Sequence, residues 1–231
     1  MVRSKKSVEL DELLAKIVEE AGPQSVGWVE KELKELRKKS FGFLFDSQMR
    51  TLKDRGALEK IVKTFSERKR SVLRVAEKMD IESRSTPFIP VISGPVMGSL
   101  EQLMNMVRSG GQKGCAFFNF DRLSEVAFPH DLYFIFNVEM SETCENAIFG
   151  NDRSFLTTCE AIAFATHTEV LQQNAVVADG SRITKGSGEM APSIKIYHDG
   201  YPVLGGNFEV IGEDPSKLRM IASCKSRVEC L

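Results

Sequence analysis

Three prolines close together, Pro87, Pro90 and Pro95, set the strongest constraint on how this chain can fold. Proline has no backbone N–H and clashes with the preceding turn, so a helix cannot continue through this stretch. The apolar residues at 88–92 predict a short extended segment, and the proline within it favours the edge of a sheet. We therefore predict a boundary here, between a helical region at residues 1–85 and a second domain at residues 86–231.

The region before the prolines has the apolar periodicity of α-helices. Apolar residues three and four positions apart predict a first helix over residues 10–21, which Gly22-Pro23 ends. A second helix begins near Ser25. A third helical region runs from Ser47 to about Met79, and Gly56 interrupts it.

The region after the prolines mixes helix and strand signals. Two capping boxes, one at residues 99–102 and one at residues 157–160, predict helices that reach about residues 108 and 167. Gly110-Gly111 is expected to end the first of them. The apolar and aromatic run at residues 132–138 predicts a strand in a central position, because such strands are buried on both faces.

The last quarter of the chain is rich in strand signals. Strands are predicted at residues 193–197, 201–204, 208–211 and 218–222. Asp199-Gly200 predicts a two-residue hairpin turn with positive φ at both positions. The fold class is therefore predicted to be α+β, with an N-terminal helical region followed by a mixed β-sheet with helices and a C-terminal hairpin.

Charge is distributed unevenly along the chain. Residues 1–85 hold 20 Lys+Arg and 15 Asp+Glu, a balance of +5, and residues 86–231 hold the remaining 11 and 17, a balance of −6. The basic run at residues 67–70, with Arg74 and Lys78, favours either a nucleic-acid phosphate contact or an ordinary solvated helix face. No aromatic residues alternate with these basic residues, which argues against nucleic acid as a partner.

The five cysteines are widely spaced and form no CxxC pair. The first 14 residues have no apolar core typical of a signal peptide, and no run approaches the length of a membrane helix. We therefore predict a soluble cytoplasmic protein with free thiols that does not contact a membrane.

Familiar catalytic and cofactor motifs are missing from the sequence. There is no P-loop, no dinucleotide-binding glycine pattern and no nucleophile elbow, so no catalytic residue and no cofactor is assigned. The three histidines lack metal-ligand spacing, and no metal site is predicted. Cys224 is close in sequence to Lys225 and Arg227, and these cations would lower its thiol pKa if they lie beside it in the fold, although an unreactive thiol is the favoured interpretation.

Several short motifs are spread over roughly residues 132–228. They are the strand at Tyr133–Val138, Phe155-Leu156-Thr157-Thr158-Cys159-Glu160-Ala161, Ala165-Thr166, Glu169-Val170-Leu171, Asn174, Gly180-Ser181-Arg182, Ala191-Pro192-Ser193, Pro202-Val203-Leu204-Gly205 and Ala222-Ser223-Cys224-Lys225-Ser226-Arg227. In these motifs the sequence resembles an uncharacterised bacterial family that carries a domain of unknown function. The resemblance implies a bacterial, cytoplasmic protein and no particular reaction.

Six polar residues at element ends or beside turns are the predicted ligand-binding positions. They are His167, Asn174, Ser181, Arg182, Lys225 and Arg227. Guanidinium and ammonium groups that meet in a cleft suit a small anionic molecule. Two alternatives stay open: salt bridges of the cations to Glu160, Glu169 or Asp179, and a role for a charged His167 in capping the predicted helix.

Three functions remain in competition. The first is a binding or interaction module, for a small anionic ligand or for a protein partner. The second is an enzyme that acts on a small anionic substrate through His167 or Cys224 near Arg182. The third is nucleic-acid binding through the basic helical front. Exposed strand edges near Pro90 or at the late hairpin leave a homodimer open.

Overall fold

The computed structural model describes residues 26–81, 85–125, 130–142, 153–185, 188–206 and 218–229. The chain divides into two compact units, Met1–Leu44 and Phe45–Leu231. The helices are α1 (Val26–Asp54), α2 (Glu59–Glu67), α3 (Lys69–Lys78), α4 (Gly94–Met97), α5 (Leu100–Met104) and α6 (Thr158–His167). None of the helices in these ranges combines the length and apolar character needed to cross a bilayer.

The described strands form one large sheet and two small ones. They are β1 (Thr86–Ile92), β2 (Arg108–Ser109), β3 (Gln112–Lys113), β4 (Cys115–Ala116), β5 (Leu123–Glu125), β6 (Leu132–Ser141), β7 (Ser154–Phe155), β8 (Asn174–Val177), β9 (Ser181–Lys185), β10 (Gly188–Met190), β11 (Pro192–Ile196), β12 (Pro202–Gly206), β13 (Leu218–Cys224) and β14 (Ser226–Glu229). The large sheet has the order β1-β6-β13-β8-β11-β12-β4, with β14 added to β6 and β7 to β13. The β13–β8 and β12–β4 pairs are parallel and the other pairs antiparallel, so the predicted α+β fold with a mixed sheet is confirmed.

The predicted edge and central strands are also confirmed. β1 is at the end of the sheet and pairs only with β6 among the described strands, so the missing N–H of Pro90 is tolerated there. β6 lies between β1 on one side and β13 and β14 on the other. Its residues 133–138 are buried, as their apolar run predicts.

The helical region lacks the predicted break between its second and third helices. α1 runs without interruption through the predicted gap before Ser47, because that segment contains no proline and a single Gly42 weakens a helix by only about 1 kcal/mol. The break at Gly56 is confirmed, since this glycine has a φ of 91° that ends α1. The first predicted helix, at residues 10–21, is outside the described residues, as is the strand at 208–211.

Two turn predictions were wrong in detail. α5 ends at Met104 rather than near residue 108, where β2 already begins, and Gly110 and Gly111, which both adopt positive φ, turn β2 into β3 as a hairpin. At the late hairpin only Gly200 has positive φ. There the Gly200 N–H donates to Tyr197 O at 2.8 Å, which gives a turn closed by a left-handed glycine rather than a two-residue turn.

Aromatic packing joins the helices from Phe45 onward to the sheet. Phe45, Phe65, Phe88 and Phe134 are each at most 1% exposed, and the ring of Phe134 contacts the other three at centroid distances of 5.2–6.4 Å. These helices therefore belong to the same compact unit as the sheet. Helix does give way to strand between α3 and β1, near the proposed boundary at residue 85, but the two domain ranges remain a prediction.

Candidate functional site

Helix α6 has a polar cluster at its N-terminal end, centred on Glu160. Thr157 and Glu160 form the predicted capping box, in which the Thr157 N–H donates to Glu160 Oε2 at 2.8 Å. Arg227 donates to both carboxylate oxygens, from Nε at 2.5 Å and from Nη2 at 2.8 Å. Tyr133 Oη donates to Oε1 at 3.1 Å. Glu160 is fully buried, so this network ties α6 to β6 and β14 inside the protein.

The contacts of Arg227 identify it as a structural cation. Burial alone would lower the pKa of Arg227, but its hydrogen bonds to Glu160 and the charge of that carboxylate raise it. Nη1 also donates to Ser154 Oγ at 2.7 Å and Nη2 to Phe155 O at 3.0 Å. All three of its nitrogens therefore have protein partners.

The other residues predicted from sequence are not all brought together. Ser181 is buried near the N-terminus of α6, where its hydroxyl accepts from the Thr158 N–H at 2.8 Å. Arg182 pairs with Asp179 Oδ1 at 3.0 Å. Asn174 is half-buried at the start of β8. Lys225 lies between β13 and β14, and its backbone N–H donates to Phe136 O. Arg182 and Arg227 thus form the salt bridges to Asp179 and Glu160 that the sequence left open as an alternative to ligand binding. The ligand-binding role of the six residues stays a prediction.

The expectation of a lowered thiol pKa at Cys224 is wrong. Burial and the Glu160 carboxylate raise the pKa of Cys224 to about 12, and this outweighs the opposite effects of Arg227 and Arg153. The thiol is fully buried. Cys224 is therefore protonated at neutral pH and is not a nucleophile in this conformation.

The C-terminal end of α6 carries His167, and its environment is unlike that of a capping residue. The hydroxyls of Thr166 and Thr168 donate to the carbonyls of Ile162 and Phe164, at 2.8 and 2.7 Å. Burial, and then the positive charge of Arg55, lower the pKa of His167 to about 3. The reading of His167 as a charged helix cap is therefore wrong, because the imidazole is neutral and other side chains bind these carbonyls.

Both ring nitrogens of His167 are buried, and no described group forms a hydrogen bond with either of them. The residue as a whole is half-buried, although both of its ring nitrogens are withdrawn from solvent. A neutral imidazole has one donor and one acceptor nitrogen, and burying them without partners costs about 1–3 kcal/mol each. Such a group in a native fold requires an explanation.

His167 lines a small cavity between α1, β1, α5 and α6. The lining is otherwise almost entirely apolar and comprises Leu52, Pro90, Ile92, Leu103, Met106, Cys159, Ile162, Ala163 and Thr166. Its free volume is about 10 Å³, close to the minimum that one water molecule needs.

Arg55 lies beside this cavity, and Arg108 is close to Arg55. Arg55 Nη1 donates to the carbonyl of Met106, one of the lining residues, at 2.6 Å. Arg108 follows two residues later, at the start of β2, and both arginines are half-buried. Burial, and then the charge of Arg108, lower the pKa of Arg55, which indicates that the two cations are close together.

Neither arginine forms an ion pair with a carboxylate in the part of the chain that the structure describes. This contrasts with Arg153, Arg182 and Arg227, which all do. Two neighbouring cations in a partly buried position repel each other at an energetic cost. Together with His167 they form what we call the cationic rim: Arg55, Arg108 and His167.

A second, wider groove of about 260 Å³ lies near β12, at the end of the large sheet opposite β1. It is lined by Phe117, Phe118, Arg122, Ile183, Thr184, Met190, Gly205 and Gly206. Its single cation, Arg122, is exposed to solvent, so it needs no counterion. The cationic rim is the stronger candidate because its charges and its histidine are withdrawn from water.

No three His, Cys, Asp or Glu side chains within the described ranges come together in a group able to hold a metal ion.

Comparisons with protein-family models, curated proteins and solved structures find no match to this chain. The resemblance to an uncharacterised bacterial family over residues 132–228 stays a prediction.

Sequence reasoning identified His167 but missed both arginines of the rim. Each of them stands just before a glycine turn, Arg55 before Gly56 and Arg108 before Gly110-Gly111. The rule that selected Arg182, a polar residue beside a turn, applies equally to them. What the sequence does not contain is the hydrogen bond from Arg55 to Met106, which spans 51 positions of the chain.

Proposed function

We propose that this protein binds a small anionic ligand at the cationic rim formed by Arg55, Arg108 and His167. The observation that carries the proposal is a histidine whose buried ring nitrogens lack hydrogen bonds, close to two half-buried arginines, none of the three being paired with a carboxylate within the described residues. A bound anion gives the two arginines a negative counter-charge and gives His167 a hydrogen-bond partner. This is the binding-module hypothesis of the sequence analysis, but with the site at the cationic rim instead of at Arg182 and Arg227.

The hydrogen-bonding capacity of the rim suits a carboxylate or a phosphate. A guanidinium has five N–H donors, and Arg55 uses one nitrogen to hold the Met106 carbonyl. The remaining donors of Arg55 and those of Arg108 can bind oxygen atoms in the bidentate geometry that favours these anions. The neutral His167 adds one N–H donor, and its second nitrogen accepts from a protonated ligand or from water.

Arg108→Ala tests the proposal by removing one cation of the rim. The natural protein is expected to gain roughly 2.7 kcal/mol of stability at an anion concentration of about 100 times Kd. For a chain of this size that gain raises Tm by roughly 5–10 °C. Because a hydrogen bond to a charged group contributes about 1.5–3 kcal/mol, the variant should bind the same anion about 10- to 100-fold more weakly. Differential scanning fluorimetry with phosphate, sulfate and short carboxylates, at constant ionic strength, measures both effects.

Arg108 is the better choice for this variant than Arg55, since Arg55 also holds the Met106 carbonyl and its loss disturbs the fold. The matched control is Arg74→Ala, which removes an exposed arginine of α3 and should leave the anion shifts unchanged. Equal shifts in Arg108→Ala and the natural protein would show that the anion binds elsewhere. The absence of a shift with every anion would reject the proposal.

The enzyme and nucleic-acid hypotheses remain predictions beside this one. We also propose that the protein works in a reducing compartment such as the bacterial cytoplasm. This is supported by Cys115, Cys159 and Cys224, which are free thiols in the structure.

A further inference from the structure

Helix α1 has exposed apolar residues in the part that precedes Phe45. Leu36 is 58% exposed and Phe43 is 75% exposed, and every residue from 35 to 40 is exposed although the segment is helical. Leu36 and Phe43 are seven positions apart, so they lie on the same face of the helix. Phe45, which is 1% exposed and packs against Phe134, is about 200° around the helix from Phe43. The exposed apolar residues are therefore on the face of α1 opposite to its buried face.

The sequence repeats this apolar position at alternating intervals of four and three residues. The residues at that spacing, which we call the α1 stripe, are Val29, Leu33, Leu36, Ser40 and Phe43. Intervals of four and three make the heptad repeat of helices that pair with a second helix. Most of the stability of a helix in a protein comes from the packing of its apolar face, and residues 35–40 have no such packing within the chain. The α1 stripe therefore suits a second helix.

The charged residues that flank the α1 stripe show which helix fits it. The flanking positions of the heptads hold Glu30 and Glu32 in the first half of the stripe and Arg37 and Lys39 in the second half. Charges at these positions set the partner and the orientation of paired helices. A parallel copy of α1 would pair Glu32 with the partner's Arg37 and leave the other two charges unused. An antiparallel copy pairs Glu32 with the partner's Lys39 and Glu30 with the partner's Arg37, so all four charges are used.

We propose that the α1 stripe is the interface of a homodimer in which the α1 helices of two copies of this chain pair in antiparallel orientation. In this register Leu33 comes level with the partner's Leu36, and Phe43 comes level with the partner's Val26. The interface covers the exposed apolar side chains of Leu36 and Phe43. It is independent of anion binding at the cationic rim.

The mass of the full chain in solution tests the dimer. Sedimentation velocity across the micromolar range should show a concentration-dependent change from the 25.8 kDa of one chain to twice that mass. Leu36→Glu and Phe43→Glu should each weaken association by roughly 100-fold or more, because each buries a charge in the interface. Both residues are exposed in the single chain, so both variants should fold. Leu58→Glu is the matched control, since Leu58 is an apolar residue that is 50% exposed but lies outside the stripe, and this variant should dimerise like the natural protein.

Charge reversal tests the orientation. Glu32→Lys and Lys39→Glu should each weaken association roughly 5- to 50-fold, because an attractive pair becomes a repulsive one on both sides of the interface. The double variant Glu32→Lys with Lys39→Glu restores opposite charges across an antiparallel interface and should associate like the natural protein. In a parallel dimer the same double variant leaves a lysine beside the partner's Arg37 and stays weak.

The possible outcomes separate the occupants of the stripe. Loss of the dimer in Leu36→Glu and Phe43→Glu, with recovery in the double charge variant, would support the proposal. A monomer at every concentration would overturn it, and a loss of stability in the Leu36→Glu monomer would then identify another segment of the same chain as the cover. A dimer that survives both stripe variants would overturn it by placing the interface elsewhere. A double charge variant that stays weak would overturn the antiparallel arrangement.

Discussion

Glu160→Gln is expected to lower the free energy of unfolding by about 3–5 kcal/mol, the usual loss when one partner of a buried ion pair is removed. Glu160 is completely buried and accepts hydrogen bonds from Tyr133, Thr157 and Arg227. Glutamine keeps the shape of the side chain but removes the carboxylate partner of Arg227, whose side chain is only 17% exposed. Urea denaturation at pH 7, followed by circular dichroism, measures the change.

The control for this substitution is Glu169→Gln, an exposed glutamate two positions beyond the end of α6, which should change stability by less than about 0.5 kcal/mol. Adding Arg227→Met to Glu160→Gln should recover part of the loss, because no uncompensated cation then remains. A loss below about 1 kcal/mol in Glu160→Gln would mean that the network contributes little and that Arg227 is available for a ligand after all.

Acidification is expected to destabilise the protein through His167. The pKa of His167 is about 3 in the folded protein and about 6.5 in the unfolded chain. Between these values the unfolded chain binds more protons than the folded one, so stability falls as pH falls below 6.5. The loss approaches about 1.4 kcal/mol per pH unit well below pH 6.5 and amounts to roughly 2.3 kcal/mol between pH 6.5 and pH 4.5. The causes are burial in apolar surroundings and, second, the positive charge of Arg55.

The contribution of His167 is obtained as a difference between variants, because carboxylates also titrate in acid. Urea denaturation from pH 7 to pH 4 should show a shallower loss of stability in His167→Asn than in the natural protein. His198→Asn removes an exposed histidine of the late hairpin and should keep the natural pH dependence. Parallel curves for the natural protein and His167→Asn would show that His167 is protonated without cost in the folded state, in conflict with its buried ring nitrogens.

The sequence predicted the parts of the fold that depend on local chemistry. The capping box at Thr157 and Glu160, the edge position of the strand with Pro90 and the break at Gly56 follow from the properties of single residues or short motifs. All three are present in the structure. The parts that were wrong depend on context. Gly110-Gly111 ends a helix or turns a hairpin with equal ease, and the pairing of β2 with β3 decides between them.

The candidate site could be predicted only in part, for a related reason. His167 was selected because it ends a helix, but its neutral state follows from burial and from Arg55, which is 112 residues away in the chain. The pKa of Cys224 was misjudged because nearby basic residues in sequence suggested a thiolate. The buried Glu160, 64 residues earlier, has the opposite effect. Charges that meet only after folding therefore decide the chemistry of both residues.

Anion binding at the cationic rim is tested most directly by nuclear magnetic resonance of the histidine rings. The chain has only three histidines, His130, His167 and His198, so their ring signals can be assigned with one substitution each. On titration with propionate at pH 6, the signals of His167 should shift with saturation while those of His198 stay in place. The pKa of His167 should rise, because the anion offsets the charge of Arg55. Signals of His167 that neither shift nor change their titration at saturating propionate and phosphate would contradict the account.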